Sequence, residues 1–180
     1  MPLTAQTVSK HLTDYDQIKD LYHTAFPEEE LVKWSWLLRK SRSKNAEFLA
    51  YYDQNRFVGF SYMIHQPNLD FLFYLAVDSD QHSQGYGGQI LDWLNAKNPD
   101  VPIVLEVEPL DEQADNAEQR QRRLKFYQSH GFNSTNHQTT EDGTQYVILT
   151  NGQDFDIQQL AKAYHWFYRP FNHRHHIEIN

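Results

Sequence analysis

The sequence predicts a mixed α/β fold, a central sheet flanked by helices, and three observations predict it. Helical spacing of apolar residues in the first 40 positions gives way to strand-rich runs from residue 47 onward. The segment 71–77, FLFYLAV, is almost unbroken in its apolarity, as a strand buried on both faces would be. A glycine-rich turn and a helix follow it, then a strand, a helix and a hairpin, an order that a mixed sheet accommodates.

Taken in order, residues 13–26 read as a helix, with Thr13 or Asp14 at its start and Ile18, Leu21, Tyr22 and Phe26 on one side. Pro27 ends it. A second helix is expected over 28–39, with three acids in its first turn, where the helix dipole favours them. Strands are expected over 47–52 and 57–64, separated by the turn Asp53-Gln54-Asn55-Arg56, and over 70–77 after Gln66-Pro67-Asn68. The helix after the glycine turn carries Ile90, Leu91 and Leu94 on one side. The strand over 101–108 alternates, with Ile103, Leu105 and Val107 facing one way and Glu106 and Glu108 the other. Residues 115–130 are expected to be helical, with Gly131 closing the helix. Strands over 132–139 and 144–150 flank Glu141-Asp142-Gly143. The segment 154–171 begins as a helix and ends at Pro170, and the final NHRHHIEIN shows no clear structure.

Composition narrows the function. Formal net charge is −8, against the basic face that gripping nucleic acid phosphates or an anionic membrane surface requires. The longest apolar run falls far short of the ~20 residues of a spanning helix. The opening MPLTAQTVSK lacks an export signal's apolar core, so a cytoplasmic location is expected. The absence of cysteine excludes disulfides and a thiolate nucleophile. Mean hydropathy is −0.76 while aromatic residues make up 14%, which points to a core rich in Phe, Tyr and Trp. His173, His175 and His176 lack the fixed helical spacing of metal ligands, and no metal is expected.

The most informative segment is 76–91, AVDSDQHSQGYGGQIL, with three glycines in four positions between the apolar strand and a helix. Glycines at a helix start bare backbone N–H groups, which together with the helix dipole make an anion site. Gly87-Gly88-Gln89 lacks the Lys and hydroxyl of a P-loop, and counting from Gly85 a dinucleotide fingerprint would need glycine where Ile90 stands. The remaining pattern, Q/R-x-x-G-x-G/A, resembles the coenzyme A pyrophosphate loop of the GNAT N-acetyltransferases. The segment 126–132, FYQSHGF, is similar to that family's late motif, and IVLEVE at 103–108 to its fifth strand. AFPEEE at 25–30 is similar to a segment frequent in bacterial members. The resemblance covers roughly residues 3–150, implying a transferase domain over 1–150 with 151–180 as a helix and His-rich tail attached to it.

The resemblance implies a sheet splayed between strands four and five and an acyltransferase that moves an acetyl group from acetyl-CoA to a primary amine. Pantetheine would pair with the backbone of Leu75, Ala76 and Val77, and a backbone N–H near Ala76 or Val77 would donate to the thioester oxygen. His82, Ser83, Gln84, Gly85, Tyr86, Gly87 and Gly88 would hold the pyrophosphate, with Arg120 near the cofactor. Tyr127 aligns with the family's general acid, and a phenol is protonated at neutral pH. Glu106 is the favoured base, ahead of Glu108. With no cysteine available, direct transfer in a ternary complex is implied. The chain departs from the family at four positions: His82 replaces a basic residue or Gln, Ser83 a frequent Gly, Arg120 a frequent Asn and Arg123 a small residue. The first two motivate an alternative, a non-catalytic acyl-CoA-binding sensor or interaction module. The acceptor, a small molecule or a protein amine, is not specified by these residues. The aromatic stretch 164–171 is expected to pack either on its own domain or on a second subunit as a homodimer.

Overall fold

The computed structural model describes residues 2–81, 84–172 and 175–180. Among these residues lie five α-helices and one eight-stranded sheet, ordered β1-β2-β3-β4-β5-β7-β6-β8. The strands are β1 (Thr4–Thr7), β2 (Ala46–Asp53), β3 (Arg56–Gln66), β4 (Leu69–Val77), β5 (Ile103–Val107), β6 (Asn133–Glu141), β7 (Thr144–Thr150) and β8 (Ile177–Ile179). The helices are α1 (Tyr15–Ala25), α2 (Trp34–Lys40), α3 (Tyr86–Lys97), α4 (Ala117–Ser129) and α5 (Ile157–Tyr168). The sheet is mixed: β4 and β5 run parallel, in register at Asp70↔Ile103 and Phe71↔Val104, while β2 and β3, and β6 and β7, are antiparallel. Contacts group the chain into two units, one of residues 1–65 and 72–99, the other of 66–71 and 100–180.

In the first unit, β2 and β3 form a hairpin whose two turn residues, Gln54 (φ 49°) and Asn55 (φ 68°), take the left-handed geometry that matches the twist of paired strands. Its core is aromatic. Tyr22, Phe48, Phe60 and Tyr62 are fully buried, and Phe48 meets Trp34, Phe60 and Tyr62 edge-on. The first helix ends where expected, because Phe26 is extended ahead of Pro27.

The helix expected over 28–39 is corrected by the structure. Glu28–Glu30 make one 3-10 turn, the chain then extends, and α2 begins only at Trp34. Tertiary hydrogen bonds hold this shape. The Tyr22 hydroxyl bridges both backbone groups of Val32 at 2.8 Å, and the Tyr74 hydroxyl donates to Glu30 O at 2.5 Å. Strand β1, too short to show a local pattern, pairs with β2.

In the second unit, α5 is capped by the Asp156 carboxylate, which accepts from Gln158 N at 2.9 Å. It buries Leu160, Ala163, Tyr164, Phe167 and Tyr168, one helical face at i, i+3, i+4 spacing. The tail is also corrected: Ile177–Ile179 form β8, antiparallel to β6. His176 N and the His175 ring bind the Asp142 carboxylate at the β6–β7 turn, which fixes the approach of β8. His173 lies outside the described residues. Among those described, no cluster of three or more His, Asp or Glu is placed to hold a metal, and no helix is long and apolar enough to cross a membrane.

Candidate active site

Each unit carries part of the sequence-derived site. In the first, β4 ends at Leu75, Ala76 and Val77, with Ala76 buried and its neighbours half-buried. Gly59 of β3 is pressed against this stretch: a Cβ there would lie 2.4 Å from Ala76 O and 3.1 Å from Val77 Cα, so only glycine fits. The chain leaves β4 at Asp78, whose N–H donates to Val58 O at 2.9 Å. The Asp78 carboxylate accepts from Asp80 N at 3.0 Å and from Gln17 Nε2 at 2.8 Å, shaping the 3-10 turn Ser79–Gln81. Gln84 Nε2 donates to Gln81 Oε1 at 3.3 Å. His82 and Ser83 lie outside the described residues.

Gly85 is exposed and left-handed (φ 78°), with open space where a side chain would stand. It caps α3, whose first intrahelical bond is Gln89 N to Gly85 O at 3.1 Å. The N–H groups of Tyr86, Gly87 and Gly88 therefore have no acceptor within the helix, and they point out of its positive end. Such an end can hold an anion. The Tyr86 side chain turns inward instead, and its hydroxyl donates to Asp53 Oδ2 at 2.7 Å and accepts from Arg56 Nη2 at 3.0 Å.

In the second unit, Glu106 lies within β5 and Glu108 just past its end, and the two have different surroundings. Glu108 is ion-paired to Arg120 (2.8 Å) and Arg123 (3.2 Å) of α4 and accepts from Asn116 Nδ2 at 3.3 Å. Arg120 is further tied to Asn116 Oδ1 at 2.7 Å and Pro109 O at 3.0 Å. Arg120 and Arg123, two of the departures from the family pattern, thus join α4 to the residue that follows β5. Glu106 instead accepts from neutral hydroxyls, Thr139 of β6 and Tyr164 of α5. Burial first, and then the Glu106 and Glu141 carboxylates, push the Tyr164 phenol well above its ordinary value, so it stays a donor.

Tyr127 is half-buried on α4, its ring edge-on to Phe126 and Phe132. The helix stops just beyond it, where Phe132 N–H returns to Tyr127 O at 3.1 Å. Among the described residues no protein group bonds the Tyr127 hydroxyl. Burial pushes this phenol up to about 12, against a smaller opposing pull from Arg123. It therefore keeps its proton at neutral pH. Sequence reading missed Gly59, Thr139, Tyr164 and the Asp53–Arg56 pair. Tyr164 lies on a helical face that periodicity reveals, but no local signal names a partner 58 positions away.

Comparison with known proteins gives one consistent answer. A family model described as the acetyltransferase (GNAT) domain matches residues 44–134, which include the glycine loop, β5 and Tyr127. YjbC of Bacillus subtilis (strain 168), assigned by name to the acetyltransferases, is 32% identical over 121 residues, covering 67% of this chain and 54% of its own. The chain thus spans about half the length of that curated relative. Among solved structures, a GNAT-family protein from Bacteroides thetaiotaomicron has a TM-score of 0.72 at 21% identity, covering 94% of this chain and 97% of that one. An aminoglycoside 6'-N-acetyltransferase complexed with coenzyme A has a TM-score of 0.64 at 20% identity, covering 85% and 99%. These structures share the fold.

Proposed function

Because the chain belongs to the GNAT acetyltransferase family, we propose that it moves an acetyl group from acetyl-CoA to a primary amine by direct transfer. The observation that carries this reading is the start of α3, where left-handed Gly85 and the amides of Tyr86, Gly87 and Gly88, which have no acceptor within the helix, offer a diphosphate donors and open space together. Gln84 joins them in this reading, and the backbone of Leu75, Ala76 and Val77 pairs with pantetheine. The co-substrate supplies an activated thioester; the protein orients it and manages two protons.

The amine nitrogen attacks the thioester carbonyl, a C–N bond forms, and a backbone N–H of β4 stabilises the oxyanion. Collapse breaks the C–S bond, and the departing thiolate takes the proton of Tyr127. The amine proton goes to Glu106, directly or through water. Between the carboxylates of Glu106 in β5 and Glu108 just after it, Glu106 is the better candidate on chemical grounds. Protonating Glu108 would break ion pairs to two guanidinium groups, whereas the hydroxyls of Thr139 and Tyr164 tolerate either state of Glu106.

Thiol release from acetyl-CoA across a panel of primary amines tests the proposal. Equal amounts of free thiol and acetylated amine are expected with at least one acceptor, and Tyr127→Phe should lower kcat by about 10²-fold while leaving acetyl-CoA binding intact. Tight binding of acetyl-CoA with no thiol released to any amine would favour the sensor instead.

A further inference from the structure

Tyr86 stands between the two glycines of the loop motif, at the first position of α3. Its side chain is only 6% exposed and does not face out with the amides of its turn. The hydroxyl sits between opposite charges. It donates to Asp53 Oδ2 at 2.7 Å and accepts from Arg56 Nη2 at 3.0 Å. Asp53 and Arg56 are register partners closing the β2–β3 hairpin around the turn Gln54-Asn55. A phenol between a carboxylate and a guanidinium has its proton direction fixed by both neighbours, and bonds to charged groups are the stronger ones.

This contact fixes the helix at the end where the amides have no acceptor within the helix. The apolar residues that anchor α3, Ile90, Leu91 and Leu94, begin a full turn later. Without the Tyr86 hydroxyl, the first turn would be held by the left-handed Gly85 on one side and by the tyrosine ring alone on the other. An anion site of backbone N–H groups depends on their direction, and its strength comes from their being aligned before the ligand arrives.

We propose that Tyr86 is a positioning residue for the diphosphate-binding turn, clamped by Asp53 and Arg56 of the β2–β3 hairpin so that the amides of Tyr86, Gly87 and Gly88 are pre-aligned. The inference rests on the reading that this turn holds the diphosphate of CoA. It adds a role for the Asp53 and Arg56 side chains at the hairpin tip. It also gives Tyr86 a task through its hydroxyl, where a tyrosine present only for packing would need the ring alone.

Calorimetry with CoA and steady-state kinetics with acetyl-CoA, on the wild type, Tyr86→Phe and Arg56→Gln, separate the possibilities. Tyr86→Phe keeps the ring and removes both hydrogen bonds. It should raise the CoA Kd and the acetyl-CoA KM about tenfold, with kcat at saturation and the acceptor KM within twofold of wild type. Arg56→Gln, on an exposed side chain, should move Kd the same way by a smaller factor, and it decides the matter should Tyr86→Phe fail to fold. CoA binding by both variants within twofold of wild type overturns the clamp and leaves the loop reading standing. A fall in kcat together with a rise in the acceptor KM also overturns it, since that marks general loosening. No heat from CoA with the wild type overturns the loop reading itself.

Discussion

Replacing Gly59 with alanine tests how tightly the end of β4 is held and what that tightness does. The added Cβ would sit 2.4 Å from Ala76 O and 3.1 Å from Val77 Cα, against an ordinary contact of about 3.4 Å. Relief to that contact needs β3 and β4 to part by roughly 1 Å, and both obstructing atoms are backbone, which has no rotamer to escape into. Overpacking of this kind costs about 1–3 kcal/mol. At about 2–4 °C per kcal/mol for a chain of this size, melting should fall by roughly 2–12 °C. The same displacement moves the N–H groups of Ala76 and Val77, which in the proposed reaction face the thioester oxygen. A 1 Å error in such a position can cost on the order of 10²-fold in rate. Thermal denaturation and kcat for Gly59→Ala measure the two effects separately. A melting temperature within 1 °C of wild type would refute the close approach. Lost stability with unchanged kcat would refute the role of the β4 backbone in catalysis.

Two pH predictions follow from the charged groups. With its phenol pushed up to about 12, Tyr127 remains protonated throughout the workable range, so kcat should show no Tyr127-dependent decline up to about pH 10; a basic limb that disappears in Tyr127→Phe would contradict this. Glu47 is held at about 2, chiefly by its hydrogen bond to His65, with Lys97 adding to the shift and burial opposing it. A lowered carboxylate stabilises the fold fully above the unfolded value near 4.5, and that contribution disappears as pH falls through about 2. Allowing for its partial exposure, Glu47→Gln should cost about 1–2 kcal/mol in urea denaturation at pH 6, and the difference from wild type should shrink below pH 4.5. A difference that holds steady down to pH 2.5 would refute the ion-pair account.

The strongest signals in the sequence were local ones. FLFYLAV, the glycine turn and the strand–helix–hairpin order each reflect a pattern within about 15 residues, and each element appears in the structure close to its expected place. The second helix starts later than its sequence suggests because Glu28, Glu29 and Glu30 are good helix starters whose preference loses to the hydroxyls of Tyr22 and Tyr74. The second of these lies 44 positions from its acceptor. Strand β8 is not legible in the sequence because three alternating residues make too short a pattern, and its pairing depends on Asp142 holding the backbone of His176. The site divides in the same way. The loop glycines and Tyr127 sit in motifs, whereas the partners of Glu106 and Tyr86 come from elements 30 or more positions away, where periodicity carries no information.

Both outermost strands of the sheet are short, four residues in β1 and three in β8. A sheet ending at β6 would instead present the free flank of a nine-residue strand, NSTNHQTTE, with a long row of unsatisfied peptide groups. Such a row can be zipped up by any extended segment from a neighbouring molecule. Strand β8 acts as a selvedge along the Thr139–Glu141 end of this border, and shortens the row left open to intermolecular β-pairing.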